Sequence, residues 1–187
     1  MTGQGTMTYP DGRKYVGQWK DGAPERDFAK EERSRKAAEA ERLGKAVEAE
    51  RLGKAYFQKA EAYRHGKGVP KDDKESMKWY RLAAEQGDAR AQNNLAHLLL
   101  NNKPSEEDVS KAKHYFELAS ENGLEGGYAE TSLGWHHFTG TYAPAIPLDY
   151  IKAFYWNELG AKAGHTNAHS NMALHHFSGL GASQSFE

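Results

Sequence analysis

The sequence predicts a mainly α protein: a solenoid of antiparallel helix pairs, preceded by a charged helix and an N-terminal β-hairpin. Three observations carry this. A block ending in glycine recurs: Trp79-Tyr80-Arg81-Leu82-Ala83-Ala84-Glu85-Gln86-Gly87, Tyr115-Phe116-Glu117-Leu118-Ala119-Ser120-Glu121-Asn122-Gly123, and Tyr155-Trp156-Asn157-Glu158-Leu159-Gly160-Ala161-Lys162-Ala163-Gly164. The spacing suits hairpins, since Leu82 to Leu118 is 36 residues and Leu118 to Leu159 is 41. Apolar residues also recur at helical offsets within each unit. One such unit cannot bury its own apolar face, so neighbours must cover each other.

The elements follow in order. Residues 1–24 read as a β-hairpin. Thr6-Met7-Thr8-Tyr9 and Lys14-Tyr15-Val16-Gly17-Gln18-Trp19 alternate as strands about Pro10-Asp11-Gly12, which is turn chemistry. Gly3-x-Gly5, Asp11-Gly12, Tyr15-x-Gly17-x-Trp19 and Gly22 together resemble one MORN repeat. Two strands alone are marginal in water. Tyr9, Tyr15 and Trp19 are therefore expected to lean on the helices.

Residues 25–53 are rich in helix formers and read as a charged linker or capping helix. Ala38 to Ala46 is repeated almost unchanged as Val47 to Ala55. Nine residues are two and a half turns, so Leu43 and Leu52 fall on opposite faces. A break at Gly53 is the expected resolution.

Residues 54–187 hold the repeats. First helices align on Ala55, Ala91, Ala129 and Ala168, then Lys59, Leu95, Leu133 and Met172, then Ala60, Ala96, Gly134 and Ala173. Tyr63, Leu99, His137 and His176 continue that stripe. Second helices carry Ser76, Ala112 and Ala153, then Trp79, Tyr115 and Trp156. Asp72, Asp108 and Asp149 precede them at a fixed distance and are expected as N-caps, Asp72 forming a capping box with Glu75. Tyr63-x-x-Gly66-x-Gly68-Val69-x-x-Asp72, with Trp79-Tyr80-x-x-Ala83-Ala84-x-x-Gly87, resembles the Sel1-like repeat (SLR), a tetratricopeptide-like family. The resemblance implies a right-handed superhelix whose first helices line a concave face. The later repeats depart from it at Asn101–Ser105 and at the insertion Thr141–Pro147, and the last repeat is incomplete.

Composition excludes several classes. The chain has 187 residues, 25 basic and 26 acidic side chains and no cysteine. That leaves no global attraction to nucleic acid, no disulfide and no thiolate zinc site. No signal-peptide profile or membrane-length apolar run occurs, so a cytoplasmic protein is expected, or a periplasmic or secreted one if a signal has been removed. No nucleophile elbow, phosphate loop or dinucleotide fingerprint is present, and no enzyme or cofactor is expected. His165 and His169 are four apart, a weak metal-ligand pair with no carboxylate at matching spacing. His137 and His176 stand where the family has tyrosine and are expected to pack.

The candidate binding surface is the first-helix face opposite the buried stripe. It comprises Gln58, Glu61, Arg90, Asn93, Asn94, His97, Tyr128, Ser132, Trp135, Asn167 and Asn171. Asparagine both donates to and accepts from a peptide backbone, and Tyr128 and Trp135 offer flat apolar anchors. The expectation is a non-catalytic adaptor for a protein or peptide. The alternatives are lipid-headgroup attachment through Arg13, Lys14 and Lys20, and a hydrolase using the late histidines. The final half-repeat, with Leu174, Phe177 and Leu180, suggests self-association.

Overall fold

The computed structural model describes residues 2–21, 23–24, 28–101 and 103–179. Its elements are β1 (Thr2–Thr8), β2 (Lys14–Lys20), β3 (Ala23–Pro24), α1 (Phe28–His65), α2 (Asp73–Glu85), α3 (Ala89–Leu99), α4 (Glu106–Glu121), α5 (Tyr128–Thr139), α6 (Tyr150–Lys162) and α7 (Thr166–Ser178). The chain divides into two compact units, Met1–Val47 and Glu48–Glu187, and α1 contributes to both. The architecture is an α-solenoid with an N-terminal antiparallel hairpin, as the sequence predicts.

In the first unit β1, β2 and β3 form an antiparallel sheet in that order, one short strand more than expected. The register pairs Gly5 with Gly17 and Met7 with Tyr15. Glycine is required there because aromatic rings lie across the backbone. A Cβ on Gly5 would sit 2.6 Å from the Trp19 indole nitrogen, and one on Gly17 would collide with the Tyr15 ring. Arg13 is held by Asp11 and, at 2.8 Å, by Glu32 of α1. The two carboxylates raise its pKa further, and Arg13 in turn lowers those of Asp11 and Glu32.

The expected break at Gly53 does not occur; α1 is one helix of 38 residues. An interior glycine costs only about 1 kcal/mol, and good helix formers flank it. The nine-residue duplication explains part of this. It sets the same i,i+4 ion pair twice, Glu41–Lys45 at 2.7 Å and Glu50–Lys54 at 2.5 Å. Leu43 is left 65% exposed, while Leu52, half a turn away, is half-buried. Gly53 is itself buried, and its Cβ would lie 3.4 Å from the Cβ atoms of Gln86 and Asp88. It marks a close approach to the α2–α3 turn.

The second unit has two joined cores. One gathers Ala60, Tyr80, Ala83, Ala84, Ala91 and Leu95; the other gathers Ala96, Val109, Ala112, Phe116, Ala129 and Leu133, with Ile146. Leu99 and Tyr115 pack against both. The second-helix stripe is more specific than predicted. Trp79, Tyr115 and Trp156 are half-buried, whereas the next residues, Tyr80, Phe116 and Asn157, are fully buried. Ser76, Ala112 and Ala153 are buried as expected. At the first helix of the stack, Ala55 and Lys59 are exposed, and the Lys59 ammonium lies 3.6 Å over the Trp79 ring.

The recurring glycines end helices. Gly87, Gly123 and Gly164 have φ of 85°, 73° and 91°. Each donates to the carbonyl three back, and the following residue closes the outer bond: Asp88 to Ala83 at 3.1 Å, Leu124 to Ala119 at 2.9 Å, His165 to Gly160 at 2.9 Å. This is the Schellman arrangement. Asp88 then caps α3, accepting from the Arg90 and Ala91 N–H groups.

Asp72 and Asp149 cap α2 and α6 as expected. Asp108 does not cap α4. Ser105 is the N-cap, and Asp108 reaches back to the Ser105 N–H to complete a reciprocal box. The first turn begins three residues earlier than predicted because Ser105 offers the better-placed hydroxyl. The Asp72–Glu75 box does not close: the Asp72 N–H donates to Tyr63 O at 3.0 Å, and Glu75 pairs with Lys78.

The insertion is structural. Tyr142 bridges Ile146, and Ile146 is fully buried in the second core.

Candidate functional site

The first-helix face carries two shallow grooves that share Tyr128. The first, of about 760 Å³, lies among the last turns of α1, the start of α3 and the turn into α5. The second, of about 550 Å³, runs from the end of α3 over α5 to the start of α7.

Nine of the eleven predicted residues line these grooves. Arg90, Asn93 and Asn94 belong to the first, Tyr128 to both, and His97, Ser132, Trp135, Asn167 and Asn171 to the second. Gln58 and Glu61 line neither. Glu61 is engaged inward. It accepts a short hydrogen bond from the Tyr80 hydroxyl, and its other oxygen lies 3.3 Å from His65 Nε2. Asn94 Nδ2 joins this network, donating to Tyr80 Oη at 3.2 Å. Burial and the Glu61 carboxylate raise the Tyr80 pKa.

The walls differ in chemistry. In the first groove the Arg90 guanidinium lies 4.1 Å over the Phe57 ring and pairs with Asp88 at 2.7 Å. Asn93 Oδ1 is buried there with no hydrogen-bond partner. In the second groove Tyr128 and Trp135 are 55% and 47% exposed. Tyr128 packs edge-on against His165 at 4.8 Å, and Trp135 stacks on Phe138. Ser132 Oγ lies 3.4 Å from His97 Nε2, and Asn171 donates to Asn157 Oδ1 at 2.9 Å. Burial lowers the pKa of His97 and takes that of His136 down to about 4, with His97 and His137 adding repulsion.

Sequence reasoning missed Phe57, Leu124, Glu125, His136 and Tyr142 as lining residues. Phe57 carried a usable signal, since it follows Tyr56 on a helix otherwise poor in aromatics. Leu124 and Glu125 sit in a turn, and Tyr142 sits in an insertion without a repeat partner.

The histidines behave as packing and wall residues. His137 is buried, with Nδ1 3.1 Å from Pro147 O. In α7 it is His175 that is buried, between Phe138 and Phe154, while His176 is exposed. His176 still packs edge-on against Phe154, with ring centroids 5.6 Å apart. Among the described residues α7 packs along one flank only, so its buried stripe narrows to Ala168 and His175. His169 Nδ1 lies 3.2 Å from His165 O, and no cluster of three metal-ligating side chains occurs among the described residues. Leu174 and Phe177 are 40% and 92% exposed; Leu180 lies outside the described residues. No helix among the described residues is long and apolar enough to cross a membrane.

Helix pairs capped by a recurring glycine, stacked through an alanine-rich seam and open along their first helices, define an SLR-type repeat protein. The Sel1 repeat matches residues 49–88, 89–124, 127–165 and 166–187, and the chain belongs to that family. Among solved structures it resembles a protective antigen present in uropathogenic Escherichia coli strains, which displays an SLR fold. The identity is 30% and the TM-score 0.61, covering 69% of this chain and 27% of that one. A Sel1 repeat protein from Oxalobacter formigenes is similar at 26% identity and TM-score 0.60, covering 69% and 51%. This chain thus spans about a quarter to a half of the length of those relatives. No curated protein matches.

Proposed function

We propose that this protein is a non-catalytic adaptor that binds an extended peptide or protein segment along the first-helix face. Sel1-repeat proteins are generally protein-interaction scaffolds. The observation that carries the reading is the pair of adjoining grooves with two large aromatics about half exposed, Tyr128 on their shared wall and Trp135 in the second. Rigid aromatics of that kind anchor interfaces at low entropic cost. Affinity comes from shape and from backbone hydrogen bonds to Asn93, Ser132, Asn167 and Asn171, and selectivity from the aromatic anchors. The test is affinity capture with the wild-type chain, Tyr128→Ala/Trp135→Ala, and Tyr155→Ala on the outer face of α6 as control. Partners lost with the double variant and kept by the control support the groove. Partners unaffected by the double variant remove it.

Two further roles rest on single observations. Phe177 and Leu174 leave an apolar flank on α7 that a second copy would cover; light scattering that finds only monomer over a wide concentration range excludes this. Headgroup attachment through the hairpin is the weaker reading, because Arg13 is already held by Asp11 and Glu32. That leaves Lys14 and Lys20, at about 1 kcal/mol each near an anionic surface. Salt-sensitive sedimentation with anionic liposomes, lost on deleting residues 1–24, would favour it.

A further inference from the structure

Resting on the groove reading, we propose that the occupant is an extended peptide with a lysine or arginine at one end, followed by an uncharged stretch bearing proline or an aromatic residue, and with no acid between them. The charges of the two grooves carry this.

In the first groove the cations are spent. Lys54 pairs with Glu50 at 2.5 Å and Arg90 with Asp88 at 2.7 Å, with the Arg90 guanidinium held flat over Phe57. Glu125, exposed in the turn before α5, has no ion pair among the described residues. Asn93 Oδ1, in the same wall, lacks a donor. The accessible charge at that end is the Glu125 carboxylate, which complements a cationic side chain and repels an acid.

The second groove is lined by no aspartate, glutamate, lysine or arginine, although charged residues are 27% of the chain. Of its three histidines, His97 and His136 have their pKa lowered by desolvation, and His165 packs edge-on against Tyr128. A charge brought there would lose water and find no counter-ion. What the wall offers is the Tyr128 and Trp135 rings and the neutral amides of Asn167 and Asn171. Seven residues of helix separate Tyr128 from Trp135, roughly 10 Å at 1.5 Å per residue. About three residues of extended peptide span that distance. Proline and aromatic side chains suit such a wall because they bring apolar area with little conformational entropy to lose.

The test is selection of displayed random decapeptides on the full chain. The best sequence is then synthesised with a fluorescein label and measured by anisotropy. A basic residue three to six positions from a proline or aromatic, with acids depleted, is expected. Trp135→Ala should weaken binding about thirtyfold, the size of an interface hot spot. Glu125→Lys should weaken it about threefold, as for an exposed ion pair, and shift preference to the same peptide with its basic residue changed to glutamate. Glu125 is exposed, so its reversal remains informative if Trp135→Ala unfolds. Selected peptides that need Trp135 but are acidic, or are indifferent to Glu125→Lys, overturn this inference and leave the groove reading standing. Peptides indifferent to both Trp135→Ala and Tyr128→Ala, or no enrichment at all, overturn both. Binding of a neutral oligosaccharide such as cellotetraose, lost on Trp135→Ala with no peptide selected, assigns the wall to another class of ligand.

Discussion

Replacing Gly134 with alanine tests the stacking argument at the α5–α6 seam. Gly134 on α5 faces Asn157 on α6, and an added Cβ would lie 2.6 Å from the Asn157 amide carbon and nitrogen. Asn157 is fully buried, and its amide is committed at both ends. Nδ2 donates to Ala153 O at 2.9 Å, and Oδ1 accepts from Asn171 Nδ2 at 2.9 Å. The methyl fits only if Asn157 turns away or the helices separate. Turning strands buried polar groups at about 1–3 kcal/mol, and overpacking costs about the same. The better helix propensity of alanine offsets about 1 kcal/mol. A net loss of about 1 kcal/mol is expected, read from the urea midpoint by circular dichroism with an unchanged slope. Asn157→Ala alone should also destabilise, since Asn171 loses its acceptor. The double variant Gly134→Ala/Asn157→Ala places the new methyl where the amide was. Its cost should fall short of the sum by at least about 1 kcal/mol. A neutral Gly134→Ala, or strict additivity, would refute the close-approach explanation.

Other expectations follow from the caps and the buried histidines. Asp149→Ala removes the acceptor for the Ile151 and Lys152 N–H groups and should cost about 1 kcal/mol in the denaturation midpoint. Ser105→Ala and Asp108→Ala should be non-additive, because the two side chains close one box; independent effects would contradict that. At Gly87 a Cβ would meet nothing, yet φ is 85°, so Gly87→Ala should lose about 1–2 kcal/mol from backbone strain alone, while Gly87→Asn loses less. His136 has a folded pKa of about 4 against 6.5 unfolded. The unfolded chain therefore binds more protons between those values, and stability is full above pH 6.5 and falls as pH drops toward 4. The loss at pH 4 should be about 2–3 kcal/mol, and His136→Phe should flatten that part of the pH–stability curve. An unchanged slope would show that the ring is not held neutral by burial.

The repeat architecture was legible because stacking needs small and apolar residues at constant offsets, and Ala91/Ala129, Leu95/Leu133 and Ala112/Ala153 supply them. The turns were legible through their glycines, since a left-handed φ leaves few other choices. Nine of eleven predicted surface residues line the grooves because a helix whose seam is known has a determined opposite face. The misses share one cause. Glu61 lies outside both grooves because the Tyr80 hydroxyl that draws it inward comes from another helix. Gly53 looked like a stop because glycine is a weak helix former, and its use as a contact point depends on Gln86 and Asp88 approaching it.

The sequence by itself determined the helix pairs, their order, their C-terminal glycine stops and which face of each first helix lies opposite the seam, all consequences of local geometry and period. Only the tertiary structure decided which aromatics fill the core, which histidines are buried, and that Ile146 of the insertion plugs the second core. These depend on what a neighbouring helix or loop brings within a few ångströms, and no spacing along one chain records that distance.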